Sequence, residues 1–487
     1  MLENLDFVVR TGAAHEGTAG GRIPFPAMRF LVLSLFGFEE SRFYGRVTRE
    51  LERLGHEAVH VTWSPSAAGA LRRAGFRTYS MPDELARAGE GRDIAAETAR
   101  VEATYDMLSL RDVYRTDPPC DGKPEAWCLD RTVRHFLAFE RIYDEVRPDV
   151  VVPEVGSETM RTAAHLVALH RSIDVLFLFY TIFPRPLRLY ANTMHAPIVP
   201  EDDLRALAPE EREEVEAFIA RFTAADKPIR AYRRPRVTAR TLRDFGRHVI
   251  VSATTDRRNE YLRPQRFVAN YVRERSRAAV AGRLYEPLAA SARPFVYFPL
   301  HVTDDYKIKR VIPHCVDQAA IIELVAASLP EGVDLVLKEH PMSIGRNPIA
   351  LLRRLRGVEN IRLVDPYTSS HELIRNARAV AVISSTVGLE ALLHGRPVLT
   401  LGQPFYSGFG VTLDVDSFRE VPEKVMALLS FTPDRERTLQ FLHAAMRRCY
   451  PGKPFLVDGS PENAVELARS LHAAVSPAAG DRALISA

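Results

Sequence analysis

Short apolar segments alternate with amphipathic segments along residues 294–401, and this alternation constrains the fold more than any other feature. Apolar runs at residues 333–338 and 379–383 have the length of buried strands, whereas residues 317–328 repeat apolar side chains at helical spacing. Strands that alternate with helices in this way predict a parallel sheet with helices on both faces. The fold class is therefore α/β.

The same pattern occurs near the beginning of the chain, with strand-like runs at residues 29–36, 58–62, 149–154 and 174–179. Because 487 residues exceed what one hydrophobic core supports, we expect two Rossmann-like domains. Residues 421–442 and 461–474 read as helices that pack back across the first domain. The predicted parts are a flexible N-terminal extension (1–27), a first Rossmann-like domain (28–200), a basic helical connecting segment (201–293), a second Rossmann-like domain (294–430), and C-terminal helices with a tail (431–487).

Composition excludes several classes of protein. A net charge of +3 does not indicate a dedicated nucleic-acid binder. The four cysteines are too scattered for a disulfide framework and read as reduced thiols. No apolar run approaches the roughly 18 residues that span a membrane, and residues 1–27 lack the apolar core of a signal peptide. We therefore expect a cytoplasmic protein.

One local segment is strongly basic. Residues 228–293 contain sixteen arginines and five acidic residues. This segment is either a surface that docks an anionic acceptor or the cytoplasmic leaflet of the inner membrane, or a solvated helical face with internal ion pairs. The sequence leaves both interpretations open.

A run of hydroxyl residues follows one of the buried strands of the second domain and leads into a helix. Ser384, Ser385 and Thr386 precede Gly388, so free backbone N–H groups and hydroxyls would meet at a helix N-terminus, where anions bind. Glu390, one turn later, could accept hydrogen bonds from ribose hydroxyls. The alternative is that the hydroxyls only cap the helix.

Two further strand ends of the second domain carry polar groups. Lys338, His340 and Pro341 follow one strand, where the proline fixes the turn and the two cationic side chains would reach the same crevice. His301 follows another strand, near Asp304 and Asp305. This grouping suits general acid or base chemistry, although the two aspartates are equally typical of a turn.

In the first domain, Glu154, Glu158 and Arg161 follow a predicted strand, at the edge of the sheet where α/β proteins bind ligands. Their alternative role is local, with Glu158 at a helix N-terminus and Arg161 as its partner. The chain lacks a Walker A sequence, an early Gly-x-Gly-x-x-Gly and a His-Glu-x-x-His motif. We therefore predict neither a metal nor a cofactor.

Taken in order, these residues resemble the capsule polysaccharide biosynthesis family, which includes bacterial Kdo transferases and is related to bacterial polysialyltransferases. The motifs that carry the resemblance are Tyr297-Phe-Pro-Leu-His301, Asp317-Gln318, Lys338-Glu-His-Pro341, Ser384-Ser-Thr386 with Gly388 and Glu390-Ala391, and Gly395-Arg-Pro-Val398 with Gly402 and Tyr406.

The resemblance implies a GT-B fold, in which two Rossmann-like domains face a cleft. It implies that the second domain holds a nucleotide-sugar donor, with a CMP-sugar favoured over a UDP- or GDP-sugar, and that the first domain receives a glycan or lipid-linked acceptor. In the related polysialyltransferases a His-Pro motif and a Ser/Thr motif contact CMP, which points to His340 and to residues 384–386. No nucleic-acid partner is implied.

The sequence does not decide which residue is the catalytic base. Glu154-Val155-Gly156 keeps one carboxylate of the acidic-acidic-Gly motif of the polysialyltransferases, and Glu154 as base implies inversion. Asp304 or Asp305 would allow retention instead. We expect a glycosyltransferase of surface or capsular polysaccharide biosynthesis that transfers Kdo or a related acidic sugar. The alternatives are an enzyme like the UDP-sugar 2-epimerases, or a non-catalytic GT-B scaffold of an assembly complex.

Overall fold

The computed structural model describes residues 27–35, 37–89, 91–194, 199–200, 203–225, 238–288, 293–302 and 305–476. Within them, the first sheet has the strand order β3-β2-β1-β4-β5-β6. Its neighbouring strands run parallel, except that β5 and β6 are antiparallel. These strands are β1 (Arg29–Ser34), β2 (Glu57–Thr62), β3 (Thr78–Ser80), β4 (Val150–Val152), β5 (Asp174–Tyr180) and β6 (Leu187–Ala191). The N-terminal extension predicted for residues 1–27 lies outside the described residues, apart from Ala27.

Helices cover both faces of this sheet. Leu31 and Leu33 of β1 pack with the helices on one face, and Phe30 and Val32 pack on the other face. This explains why β1 is a continuous apolar run. The helices are α1 (Phe38–Arg53), α2 (Pro65–Arg73), α3 (Met81–Ala88), α4 (Ile94–Thr104), α5 (Arg111–Tyr114), α6 (Glu125–Val146) and α7 (Thr159–His170). We call β1–β6 with α1–α7 the first unit.

The second sheet has the order β12-β11-β10-β7-β8-β9 within the described residues, and its paired strands are parallel. Its strands are β7 (Phe295–Pro299), β8 (Asp334–Lys338), β9 (Ile361–Val364), β10 (Ala379–Val382), β11 (Val398–Thr400) and β12 (Leu413–Asp414). Its helices are α11 (Gln318–Ala327), α12 (Ile349–Arg356), α13 (Ser370–Asn376), α14 (Thr386–Leu393) and α15 (Val421–Leu428). We call this group the second unit. The expected α/β class with two Rossmann-like units is confirmed.

Five further α-helices of the described residues lie outside these two groups. They are α8 (Pro209–Ala224), α9 (Ala239–Ala253), α10 (Pro264–Ala281), α16 (Arg435–Arg447) and α17 (Pro461–Val475). Helix α17 packs against α1 of the first unit, as the sequence predicts. The helix predicted over residues 421–442 is instead two helices, and the first of them, α15, packs on α11 and β11 of the second unit rather than on the first unit. Pro433 interrupts the predicted helix, and the Asp434 side chain accepts a hydrogen bond from Arg437 N (3.0 Å), which begins α16.

The sequence does not predict two of the short strands. β6 pairs antiparallel with β5 after a Pro-containing loop, and β12 has only two residues.

All four cysteines are buried and unbridged, which agrees with the expected reduced thiols. None of the helices in the described ranges is both long enough and apolar enough to cross a membrane.

Candidate functional site

The candidate site lies at the carboxyl edge of the second sheet. β7 lies between β10 and β8, so the chain winds away from β7 in both directions, and it is at such a change of direction that α/β sheets generally have their ligand-binding crevice. The loops after β7, β8 and β10 meet at this edge. These loops carry His301, His340 and Ser384, and Lys338 is the last residue of β8, so the topology brings together residues up to 83 positions apart.

A hydrogen bond joins two of these loops. The backbone N–H of Ser384 donates to Nε2 of His301, 3.0 Å away, and the backbone N–H of His301 donates to the Gln318 side chain at 3.0 Å. Because Nε2 accepts, the proton of the neutral imidazole is on Nδ1. Burial lowers the pKa of His301 to about 4. His301 is therefore a neutral, fixed imidazole between the loops after β7 and β10.

Helix α14 begins next to this bond. Ser385 caps it by accepting from Val387 N (3.2 Å), and the Tyr406 hydroxyl donates to the carbonyl oxygen of Ser385 at 2.5 Å. A Cβ at position 388 would overlap the Tyr406 ring and hydroxyl, which explains the glycine there. Ser385 and Thr386 remain partly exposed. The capping role of Ser385 is thus present, and the partly exposed helix start faces the same edge of the sheet.

Lys338 and His340 follow β8 at the same edge. Burial lowers the pKa of Lys338 to about 8, although Glu390 and Asp365 oppose the shift. The Nδ1 atom of His340 accepts from Met342 N (3.2 Å) at a 3-10 turn that begins with Pro341, so Nε2 carries the proton of the neutral ring. Burial, followed by the charge of Lys338, lowers the pKa of His340.

Asp305 supplies the negative charge of this crevice. Its carboxylate accepts from Lys307 N at 2.8 Å, and its charge raises the pKa values of His301, His340 and Lys307 against the effect of burial. Asp304 lies outside the described residues. Of the two aspartates predicted here, Asp305 therefore lies beside both histidines.

Glu339 is a site neighbour that the sequence analysis did not single out. It follows β8 directly and is buried, and its carboxylate accepts from the Tyr285 hydroxyl and from Asn347 Nδ2 (2.5 Å). Burial raises the pKa of Glu339. This residue holds the loop after β8 in place, and the alternation of a strand could have indicated its inward direction.

Glu390 is directed into a polar cluster beneath α14. Its carboxylate lies 3.9 Å from His371 Nε2, and His371 Nδ1 lies 3.0 Å from His394 Nε2. The ribose contact expected for Glu390 stays a prediction, because this carboxylate already has partners inside the fold.

The first-unit candidates lie at the carboxyl ends of β1 and β4, where the first sheet changes its winding direction. One oxygen of buried Glu154 accepts from the Tyr44 hydroxyl (2.7 Å) and from Phe455 N (2.8 Å). Glu158 accepts from Arg161 at 3.0 Å. Burial opposes the charge of Arg161, but Glu158, Glu154 and Glu40 outweigh it and raise its pKa.

These candidates form one buried charge cluster, so the local pairing of Glu158 with Arg161 that the sequence suggested is present. A Cβ at Gly156 would overlap both side chains of that pair. The catalytic role of Glu154 and the acceptor-side roles of Glu158 and Arg161 stay predictions.

The second unit contacts the first unit through the segment after β7 and through Phe405. Lys307 Nζ lies 4.8 Å from the ring centroid of Phe179, Phe405 lies 5.9 Å from the same ring, and Arg310 donates to the Asp112 carbonyl oxygen at 3.0 Å. Burial lowers the pKa of Lys307. Sequence analysis missed Lys307, since nothing in the local pattern distinguishes it from a surface lysine.

A protein-family model matches part of this chain. The sequence model described as "Capsule polysaccharide biosynthesis protein" matches residues 193–432, just under half of the chain. This segment of the chain therefore matches the capsule polysaccharide biosynthesis family. The segment contains His301, Asp305, Lys338, His340 and residues 384–390, whereas Glu154, Glu158 and Arg161 precede it. The family predicted from the motifs is confirmed.

Curated relatives match this chain over shorter stretches. Protein FixF of Sinorhizobium fredii is 31% identical over 156 residues, which cover 30% of this chain and 36% of FixF. The capsule polysaccharide export protein KpsS of Escherichia coli is 36% identical over 87 residues, 17% of this chain and 22% of KpsS. LipA of Neisseria meningitidis serogroup B, a capsule polysaccharide modification protein, is 32% identical over 81 residues, 17% of this chain and 12% of LipA. The matches thus span about a third or less of these relatives.

Solved structures show a distant likeness. The β-Kdo 2,7 transferase of Thermosulfurimonas dismutans KpsC is 20% identical, with 72% of this chain and 98% of that chain covered and a TM-score of 0.36. The UDP-GlcNAc 2-epimerase of Methanocaldococcus jannaschii is 13% identical, with coverages of 85% and 98% and a TM-score of 0.28.

Proposed function

We propose that this capsule-family protein is a glycosyltransferase of surface or capsular polysaccharide biosynthesis, with its nucleotide-sugar donor at the carboxyl edge of the second sheet. The observation that carries the proposal is the hydrogen bond from Ser384 N to His301 Nε2. It fixes the start of α14 against the loop after β7, beside the loop that holds Lys338 and His340.

The electrostatics of this edge suit a phosphate. The start of α14 presents the positive end of the helix dipole and the partly exposed hydroxyls of Ser385 and Thr386. Two of its first N–H groups are already engaged, because Val387 N donates to Ser385 Oγ and Gly388 N donates to the Ser385 carbonyl oxygen. Lys338 is cationic below a pH of about 8, and neutral His340 carries its proton on Nε2, as a donor. Residues 384–386 and 388, with Pro341 shaping the loop, complete the proposed donor site. The leaving phosphate would gain charge there and be stabilised by these donors.

The reaction follows from the same placement. The acceptor hydroxyl oxygen forms a bond to the anomeric carbon, and the bond between that carbon and the phosphate oxygen breaks. The electron pair leaves with the nucleotide, and a carboxylate takes the proton of the acceptor hydroxyl. Glu154 of the first unit and Asp305 of the second are the described candidates for this base. Glu154 as base implies inversion at the anomeric carbon.

The donor and acceptor follow from the family resemblance. We assign a CMP-sugar, with Kdo or a related acidic sugar as the transferred group, and a glycan or lipid-linked acceptor that approaches Glu158 and Arg161. UDP- and GDP-sugars are the alternatives that an experiment must separate.

Ligand-induced stabilisation tests the proposal. A ligand that binds only the folded state raises its stability by about 2.7 kcal/mol at a hundredfold excess over Kd. We expect CMP and its sugar conjugates to raise the Tm of the wild-type protein, and His340→Ala to abolish this rise when compared with its own ligand-free Tm. His314→Ala is the matched control, because His314 is an exposed histidine of the same unit.

The outcomes separate the alternatives. A shift with UDP alone would contradict the CMP assignment and favour chemistry like that of the 2-epimerases. The absence of a shift with every nucleotide would reject the transferase and favour a scaffold. An equal shift in wild type and His340→Ala would place the nucleotide elsewhere.

A further inference from the structure

Helices α9 and α10 of the connecting segment expose large apolar side chains. Leu242 is 60% exposed, Ile250 65%, Phe267 59% and Val272 56%. Apolar side chains scattered singly over a surface are ordinary, but these four lie on two adjacent helices. Phe245 and Phe267 join the two helices, with 5.7 Å between their ring centroids. We call α9 and α10 together the helix pair.

The apolar residues of α9 occupy one side of the helix. Leu242, Val249 and Ile250 are spaced by seven and eight residues, so they share a stripe that is exposed in the structure. Arg243 and Arg247, four residues apart, flank this stripe and are also exposed. An exposed apolar stripe with arginines along its border is typical of a helix that lies in a membrane interface.

The helix pair carries more arginines than acidic residues. Residues 238–282 contain ten arginines and four acidic residues. Three of these acids face the protein. Asp256 accepts from Ser64 and Ser66 (2.8–2.9 Å), Glu260 pairs with Arg131 (2.7 Å), and Glu274 lies 3.5 Å from Arg346.

The fourth acid, Asp244, lies 3.5 Å from Arg243. Three of the ten arginines also bind the rest of the protein, namely Arg258 through Asp83, Arg266 through the Pro118 carbonyl oxygen and Arg277 through the Arg346 carbonyl oxygen. Seven arginines remain against Asp244, so the remaining charge is positive. Such a positive charge attracts anionic lipids at about 1 kcal/mol for each arginine near the surface, which is about fivefold in binding.

The fold holds this surface in a fixed position. The turn between the helices is tied to α2 through Asp256, and Arg277 of α10 donates to the Arg346 carbonyl oxygen at 3.2 Å in the second unit. The apolar stripe therefore cannot turn inward without breaking these contacts.

We propose that the helix pair docks on an anionic lipid surface, with Leu242, Ile250 and Phe267 inserted at the level of the headgroups and the arginines on lipid phosphates. A nucleic acid would use the arginines but would leave the apolar stripe in water. The proposal is independent of the transferase chemistry, because it uses no residue of the donor site.

Sedimentation of the full chain with lipid vesicles tests this proposal. We expect binding to vesicles of phosphatidylglycerol and phosphatidylcholine and at least tenfold weaker binding to pure phosphatidylcholine. The double variant Leu242→Asn, Ile250→Asn removes the apolar contribution, and Arg243→Glu, Arg247→Glu reverses the charge. Both should lower vesicle binding at least tenfold with an unchanged Tm. Leu108→Asn is the control, because Leu108 is fully exposed on the first unit.

Several results would overturn the proposal. One is failure of the wild-type chain to bind the anionic vesicles. Another is equal binding by the wild type and the Leu242→Asn, Ile250→Asn variant, which would place the contact on another surface. A loss of self-association in that variant, measured by sedimentation equilibrium without lipid, would identify the stripe as an interface between copies of the chain.

Discussion

The Nε2 atom of His301 accepts the backbone N–H of Ser384 at 3.0 Å, so a residue that follows β7 orients the loop between β10 and α14. Both groups are buried. The bond makes the start of α14 dependent on the protonation state of one imidazole, because a proton on Nε2 would remove its only acceptor lone pair.

This dependence gives a pH prediction. The folded pKa of His301 is about 4, below the ordinary value near 6.5, so the unfolded chain binds a proton that the folded chain excludes. The contribution of this group to the free energy of unfolding is present above pH 6.5 and is lost as pH falls toward 4, by about 1.4 kcal/mol per unit at most.

Urea unfolding of wild type and His301→Gln between pH 7 and 5 measures this effect. We expect the variant to be less stable at pH 7 and to have a shallower decline. His60, whose pKa burial also lowers to about 4, continues to titrate in both proteins. Equal decreases of the free energy of unfolding with falling pH in the two proteins would show that His301 does not determine this pH dependence.

Gly388→Ala should disrupt the start of α14. The new methyl group would overlap the Tyr406 ring, and we expect a loss of about 1–3 kcal/mol in the free energy of unfolding, which is typical of overpacking. Gly246→Ala in α9 is the matched control, because a Cβ there meets open space and should be neutral or stabilising. Equal effects of the two changes in chemical denaturation would contradict the packing argument.

Lys338 predicts a pH dependence of nucleotide binding. Since burial lowers its pKa to about 8, the ammonium loses its charge as pH rises from 7 to 9, and the affinity for a nucleotide phosphate should fall severalfold. Calorimetric titration with CMP at both pH values measures this change. Lys338→Arg should keep the affinity at pH 9, and Lys338→Met should bind weakly and equally at both. A wild-type affinity that does not change with pH would place the phosphate away from Lys338.

Arg131→Met should destabilise the first unit. Arg131 is buried and pairs with Asp117 (2.8 Å) and Glu260 (2.7 Å), so its removal leaves a buried carboxylate without its cation and costs about 3–5 kcal/mol. The exposed pair of Arg354 with Glu323 is the control, and Arg354→Met should change the unfolding midpoint little. Removing Asp117 as well, in Arg131→Met, Asp117→Leu, should restore part of the loss.

The sequence predicts the sheets well because parallel strands covered on both faces are continuous apolar runs. β1 and β10 show this clearly, whereas β12 has two residues and no periodicity. The donor-site candidates were also accessible from sequence, since residues after parallel strands share one edge. The sequence could not predict which groups pair at that edge, because the hydrogen bond from Ser384 to His301 depends on the order of the strands.

Contacts over long separations account for most of what the sequence could not predict. The carboxylate of Glu154 accepts from Phe455 N, 301 positions later, and Asp256 binds the start of α2 from 190 positions away. Periodicity and local propensity carry no information about such pairs. These long-range pairs determine whether a carboxylate such as Glu154 is bound within the fold or is accessible to substrate.

The packing of α17 on α1 also bears on how the chain is made. Phe43, Val47 and Leu51 of α1 are covered by Leu467 and Leu471 of α17, which leave the ribosome more than 400 residues later. Until then an apolar face of the nascent first unit has no cover and is open to chaperones or aggregation. A ribosome-bound chain that ends before residue 461 should therefore be more sensitive to protease in α1 than the released protein.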